Sequence, residues 1–117
     1  MKIEAKLEGG ALVVAIRNSH LGADTVAEFK RQMLEKLSPE THIVVLEMNE
    51  VPFVDSTGLG ALVAIRRRLG ETGVLAICNS QPSVLELFEL ARLDKIFQFY
   101  PDTQEALSRL VVETVGR

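Results

Sequence analysis

An α/β fold is predicted: a mixed, mostly parallel β-sheet that opens with an N-terminal hairpin, continues through β-α-β crossovers and carries about four α-helices packed against it. Three features predict it. Residues 2–8 alternate charged and apolar side chains, and Gly9-Gly10 separates them from the apolar run Leu12-Val13-Val14-Ala15-Ile16, the mark of a hairpin. Two short runs, 42–48 and 74–78, are apolar and rich in branched residues without polar alternation, as strands buried on both faces are. Between and after them apolar residues recur at helical intervals, and strand, helix, strand, helix, strand implies right-handed crossovers.

In the first strand Ile3, Ala5 and Leu7 share one face and Lys2, Glu4, Lys6 and Glu8 the other. Such charge suits a sheet edge, because it discourages pairing with another chain. The second strand lies further inside. After Asn18-Ser19-His20, the segment Asp24 to Leu37 sets Val26, Phe29, Met33, Leu34 and Leu37 at helical spacing, and Ser38-Pro39 stops it. The strand His42 to Met48 follows. A loop from Asn49 to Val54 leads into Asp55-Ser56-Thr57-Gly58-Leu59-Gly60, the first turn of an amphipathic helix. Leu59, Leu62, Val63 and Leu69 form its apolar side, Arg66, Arg67, Arg68 and Glu71 its polar side, and Ser56 or Asp55 is the natural N-cap. Beyond the strand Val74 to Cys78, Pro82 begins a helix carrying Val84, Leu85, Leu87, Phe88 and Ala91. Ile96 to Phe99 suits a short strand. In a last helix Asp102 caps, Glu105 reciprocates, and Ala106, Leu107, Leu110 and Val111 face inward.

With 117 residues, 47% of them hydrophobic and 25% charged, the chain is expected to form one domain with a core that needs no disulfide or structural metal. A net charge of −3 argues against a general nucleic-acid binder. The single cysteine, Cys78, the absence of a basic and apolar leader, and the lack of a long apolar run point to the cytoplasm.

The chemistry concentrates at Asp55 to Gly60. A helix start leaves backbone N–H groups unpaired and carries partial positive charge, so a phosphate on Ser56 would meet a place disposed to receive an anion. Capping accounts for one hydroxyl or carboxylate, not for three consecutive residues of that kind followed by two glycines. Gly58 and Gly60 each cost about 1 kcal/mol of helix propensity against alanine, which suggests that bulk is unwelcome there, as at a partner surface.

The six residues Asp55-Ser56-Thr57-Gly58-Leu59-Gly60, set between a buried strand and an amphipathic helix, resemble the signature of STAS domains of the anti-sigma factor antagonist family. The resemblance extends over residues 1–117, read as a single STAS domain. It implies that Ser56 is phosphorylated by a partner kinase and that Asp55, Thr57, Gly58, Leu59 and Gly60 belong to the partner-binding surface. In the family the stretch after the second strand also contacts the kinase, through a Leu-Asp pair and a following Thr-Ala. Here that stretch is Leu21-Gly22-Ala23-Asp24-Thr25-Val26, with glycine in place of the usual acidic residue at 22. Asp24 is expected to substitute for it, beside Thr25.

Other candidates carry less. His20 and His42 have no cysteine or carboxylate at ligand spacing, so no metal is expected. Cys78 ends a buried strand with no base in view. Arg66-Arg67-Arg68 is a solvated helix face or a site for an acidic partner patch, and without an aromatic array it does not suggest nucleic acid. Leu85, Leu87, Phe88 and Leu90 form a cluster wider than one buried stripe, suited to the core or to a weak homodimer. Ser56 lacks the Gly-x-Ser-x-Gly setting of a hydrolase, and Gly58-Leu59-Gly60 lacks the remainder of a phosphate-binding loop, so neither an enzyme nor a bound cofactor is expected.

The function expected is therefore that of an anti-sigma factor antagonist. Unphosphorylated, it binds an anti-sigma serine kinase and releases a sigma factor; phosphate on Ser56 disrupts binding, and a PP2C-type serine phosphatase resets the cycle. Direct contact with nucleic acid or membrane is not expected. The alternative is an accessory or scaffold subunit of a signalling complex or of a lipid-transport ABC system, with no phosphorylation cycle.

Overall fold

The apolar runs form one sheet whose two faces are divided by residue parity. The structure is a computed structural model and describes residues 1–115, with side chains as far as Val111. Along the chain run β1 (Ile3–Glu8), β2 (Ala11–Ile16), β3 (His20–Leu21), α1 (Val26–Lys36), β4 (Ile43–Glu47), β5 (Phe53–Val54), α2 (Ser56–Arg68), β6 (Val74–Cys78), α3 (Pro82–Leu90), β7 (Gln98–Tyr100) and α4 (Thr103–Val115). Five strands pair in the order β1-β2-β4-β6-β7. β1 and β2 are antiparallel, and the other pairings of this sheet are parallel. This is the mixed, mostly parallel sheet with four helices that the sequence predicts.

Gly9 and Gly10, at φ 60° and 88°, make the tight β1-β2 turn, a left-handed conformation that glycine adopts without strain. Leu12, Val14, Val44, Leu46, Leu75 and Ile77 face the larger core, where they meet Phe29 and Met33 of α1, Leu62 and Ile65 of α2 and Phe88 of α3. Their sequence neighbours Ala11, Val13, Ile43, Val45, Ala76 and Cys78 face the other side, under Ala106 and Leu110 of α4. Consecutive strand residues thus serve opposite cores, which is why β2, β4 and β6 are apolar without alternation. Phe88, Phe97 and Phe99 meet edge to face, with ring centroids 5.2 to 6.5 Å apart, and join α3 to β7.

Several expectations need correction. β1 is the edge strand, as its charges suggest, although of its three apolar side chains only Ile3 is buried and Leu7 is 76% exposed. Leu34 is exposed rather than inward, since Phe29 and Met33 already define the line along which α1 meets the sheet. α1 starts at Val26, not Asp24, because residues 20 and 21 are drawn into β3, a strand absent from the sequence reading together with its partner β5. Asp102 caps α4 through its Oδ1, which accepts from Glu105 N at 2.8 Å, whereas the Glu105 side chain accepts from Arg109 instead of closing a capping box. The last strand begins at Gln98.

Candidate functional site

β3 and β5 are two residues each, yet they assemble the site. Their parallel register sets His20 beside Phe53 and Leu21 beside Val54. The segment leading into α1 and the segment leading into α2 therefore run side by side, a juxtaposition set by pairing across 33 residues of chain. Asp55 N donates to Leu21 O at 3.2 Å and continues the contact into the helix.

Asp55 is the N-cap of α2, with extended backbone (φ −101°, ψ −176°). Its Oδ1 accepts from Gly58 N at 3.0 Å and from the Thr57 hydroxyl at 2.5 Å. Its Oδ2 accepts from Ala23 N at 3.1 Å, across to the β3-α1 segment. The Thr57 hydroxyl, then the Gly58 and Ala23 amides, hold the carboxyl below its ordinary range. Of the two cap candidates in the sequence, Asp55 is thus the one that takes a helix-start amide, that of Gly58.

Ser56 is the first residue of α2 and is exposed. Among the described residues no group forms a hydrogen bond with its hydroxyl. Thr57 is exposed as well, but its hydroxyl is committed to Asp55. Gly60 is exposed, and a Cβ there would meet nothing within 4 Å. Gly58 and Leu59 differ: both are buried, and a Cβ on Gly58 would lie 2.2 Å from Leu21 O. Bulk at 58 is unwelcome because α2 rests on the β3 backbone, so the internal fold, not a partner, explains that glycine. Leu59 anchors the helix in the larger core.

Asp24 and Thr25 lie across from this helix start. His20 Nε2 is 2.9 Å from both Asp24 carboxylate oxygens, so His20 does have a carboxylate in reach, at the i+4 spacing that the sequence reading passed over. That hydrogen bond draws the Asp24 pKa down. The Thr25 hydroxyl accepts from Gly22 N at 3.0 Å and closes the turn before α1. Among the described residues no group of three His, Cys, Asp or Glu side chains could hold a metal ion. No described helix is long and apolar enough to cross a membrane. Phe53 was also missed: it sits exposed three residues before Ser56, within the stretch Asn49 to Val54 that the sequence suggests is only a loop.

The STAS domain family model matches residues 2–106. The anti-sigma F factor antagonist of Paenibacillus polymyxa is 28% identical over 114 residues, spanning 96% of this chain and 97% of that one. An anti-sigma factor antagonist structure from Mycobacterium paratuberculosis superposes with a TM-score of 0.83 at 22% identity, covering 93% of this chain and 92% of that one. The phosphorylated form of the Bacillus cell fate determinant SpoIIAA gives 0.70 at 16% identity over 93% of this chain and 99% of that one. Those two likenesses concern the fold, whereas the family match runs across β1 to the first turns of α4, through the Asp55 cap and the Ser56 helix start, and on that ground the chain belongs to the STAS domain family.

Proposed function

We propose that the protein is an anti-sigma factor antagonist that acts in the cytoplasm by binding rather than by catalysis. Unphosphorylated, it captures an anti-sigma factor serine kinase and so frees a sigma factor; phosphorylation of Ser56 ends the capture, and a PP2C-type phosphatase restores it. Residues 1–117 work in this reading as one domain, which the family match over residues 2–106 supports.

The observation that carries the proposal is the contrast among three adjacent side chains. Asp55 and Thr57 are committed to each other and to the backbone, while Ser56 alone presents a hydroxyl that is exposed and unengaged among the described residues. A kinase reaches such an oxygen without unfolding anything: the hydroxyl attacks the γ-phosphoryl of ATP, ADP leaves, and the proton passes to a base of the kinase. The phosphate adds about −1.5 to −2 charge. Because the Asp55 carboxylate already takes the Gly58 amide at the helix start, the added charge stands beside a carboxylate, and a closely docked partner would have to desolvate it. A penalty of about 3 kcal/mol is over a hundredfold in affinity. The partner-facing groups in this reading are Asp24, Thr25, Ser56, Thr57 and Gly60, with Asp55, Gly58 and Leu59 setting their positions.

The test mixes the protein with an anti-sigma serine kinase and ATP and follows intact mass and kinase affinity. Wild type is expected to gain one phosphate, Ser56→Ala none, and Ser56→Asp to bind the kinase over a hundredfold more weakly. Phosphate uptake by Ser56→Ala, or kinase affinity unchanged in Ser56→Asp, would sink the switch and leave the accessory-subunit role.

A further inference from the structure

Among the described residues the cations fall into two groups. Lys2, Lys6, Arg17, Arg31 and Arg109 each lie within ion-pair distance of a glutamate. Lys30, Lys36, Arg66, Arg67, Arg68, Arg92 and Lys95 pair with no carboxylate among the described residues; the two lysines lie on α1, and the other five stand at the C-terminal end of α2 or just after α3. A helix C-terminus favours positive charge, which accounts for arginines in the last turn of α2. It does not account for Lys95, which arrives from another part of the chain.

These two segments share a cleft of about 470 Å³ lined by Arg66, Arg67, Gly70, Glu71, Lys95 and Ile96. Gly70 turns the chain there at φ 80°, and Arg66 Nη1 donates to Gly70 O at 2.8 Å, which fixes one guanidinium in the wall. Arg67 and Lys95 are exposed, and Ile96 offers an aliphatic surface that is 41% exposed. Three cations against the single carboxylate of Glu71, around one apolar side chain, make a positive, open site in a chain whose net charge is −3.

We infer that this cleft docks an acidic segment of a protein partner, with carboxylates of the segment meeting Arg67, Lys95 and the fixed Arg66 and one aliphatic side chain resting on Ile96. Charge complementarity selects an acidic ligand, and a single exposed aliphatic side chain among the cations matches one anchor residue of a peptide, where a membrane would call for a wider apolar face. The site lies at the far end of α2 from Ser56, roughly 17 Å along the helix axis at 1.5 Å per residue. It therefore works as a tether that persists while the helix start is modified.

The probe is a short fluorescent peptide of glutamate and aspartate with one central leucine, read by anisotropy beside the same peptide with serine for leucine and beside phosphatidylglycerol vesicles. Wild type is expected to bind the leucine peptide saturably, more weakly as salt is added. Arg67→Glu with Lys95→Glu should weaken it by about tenfold or more. Ile96→Ser should bind both peptides alike, and Ser56→Asp should bind as wild type does. Melting temperature confirms that each variant is folded. No saturable binding, equal binding by the charge-reversed protein, a preference for the vesicles, or loss of binding in Ser56→Asp would overturn the inference. Because the readout involves neither kinase nor ATP, its failure is distinct from failure of the Ser56 switch.

Discussion

The carboxylate of Asp55 fills the space into which a side chain at Gly22 would grow: a Cβ on Gly22 would lie 2.5 Å from Asp55 Oδ2 and 3.0 Å from its Cγ. The glycine that departs from the family's usual acidic residue is thus the one that lets the α2 cap reach Ala23 N. Gly22→Ala forces the carboxylate aside and breaks that link. A loss of about 1 to 2 kcal/mol in urea unfolding is expected, and Gly22→Asp, which sets a second carboxylate against the first, should lose more. Unchanged stability in both variants would show that Asp55 can relax without consequence.

The two glycines of α2 should respond oppositely to the same substitution. At Gly58 the new methyl meets Leu21 O at 2.2 Å, a backbone atom held in β3, so Gly58→Ala should destabilise by about 2 to 3 kcal/mol. At Gly60 nothing lies within 4 Å, so Gly60→Ala should stabilise by about 0.5 to 1 kcal/mol through helix propensity. Thermal melts of the two variants check the pair.

Acid should loosen the molecule through carboxylates held below their ordinary range, among them Asp55 and Glu28 beside Glu4 and Asp24. Asp55 is held below its ordinary value of 3.8, first by the Thr57 hydroxyl and then by the Gly58 amide. Glu28 is drawn from 4.5 to about 2, first by Arg31 and then by Gln32. A carboxyl whose folded pKa is depressed contributes stability fully above its unfolded value and loses it as pH falls through the folded value. The fall should therefore begin below about pH 4.5 and continue toward pH 2. Unfolding midpoints measured over that window should slope less in Asp55→Asn and in Glu28→Gln than in wild type; equal slopes would refute the assignment.

Cys78 should be inert while the protein is folded. Burial above all, with Glu47 and Asp102 adding, pushes its thiol up to about 12. Near pH 8 iodoacetamide should leave the native protein unmodified and alkylate it fully in denaturant, because the thiolate is the reactive form. Rapid labelling of the native state would contradict the burial.

Much of this was legible in the sequence. β2, β4 and β6 declared themselves because a strand buried on both faces has no polar position to spare, and α2 because its cap residues and apolar spacing are local. Other features were not. β3 and β5 are too short to carry a periodic signal, and what stabilises them is each other. The exposure of Leu7 and Leu34 depends on how far neighbouring elements reach, which no window of sequence contains.

By itself, then, the sequence determined the order of the elements, the α/β class and the place of Ser56 at the first turn of a helix, since propensity, patterning and capping act between residues close in the chain. Only the tertiary structure decided which of three adjacent polar side chains is left unengaged, that Gly58 serves the β3 contact, and that Gly22 makes room for Asp55. The first outcome turns on which rotamers the residues within one turn adopt, and the other two on atoms more than thirty residues apart brought within van der Waals or hydrogen-bond reach, none of which chain order encodes.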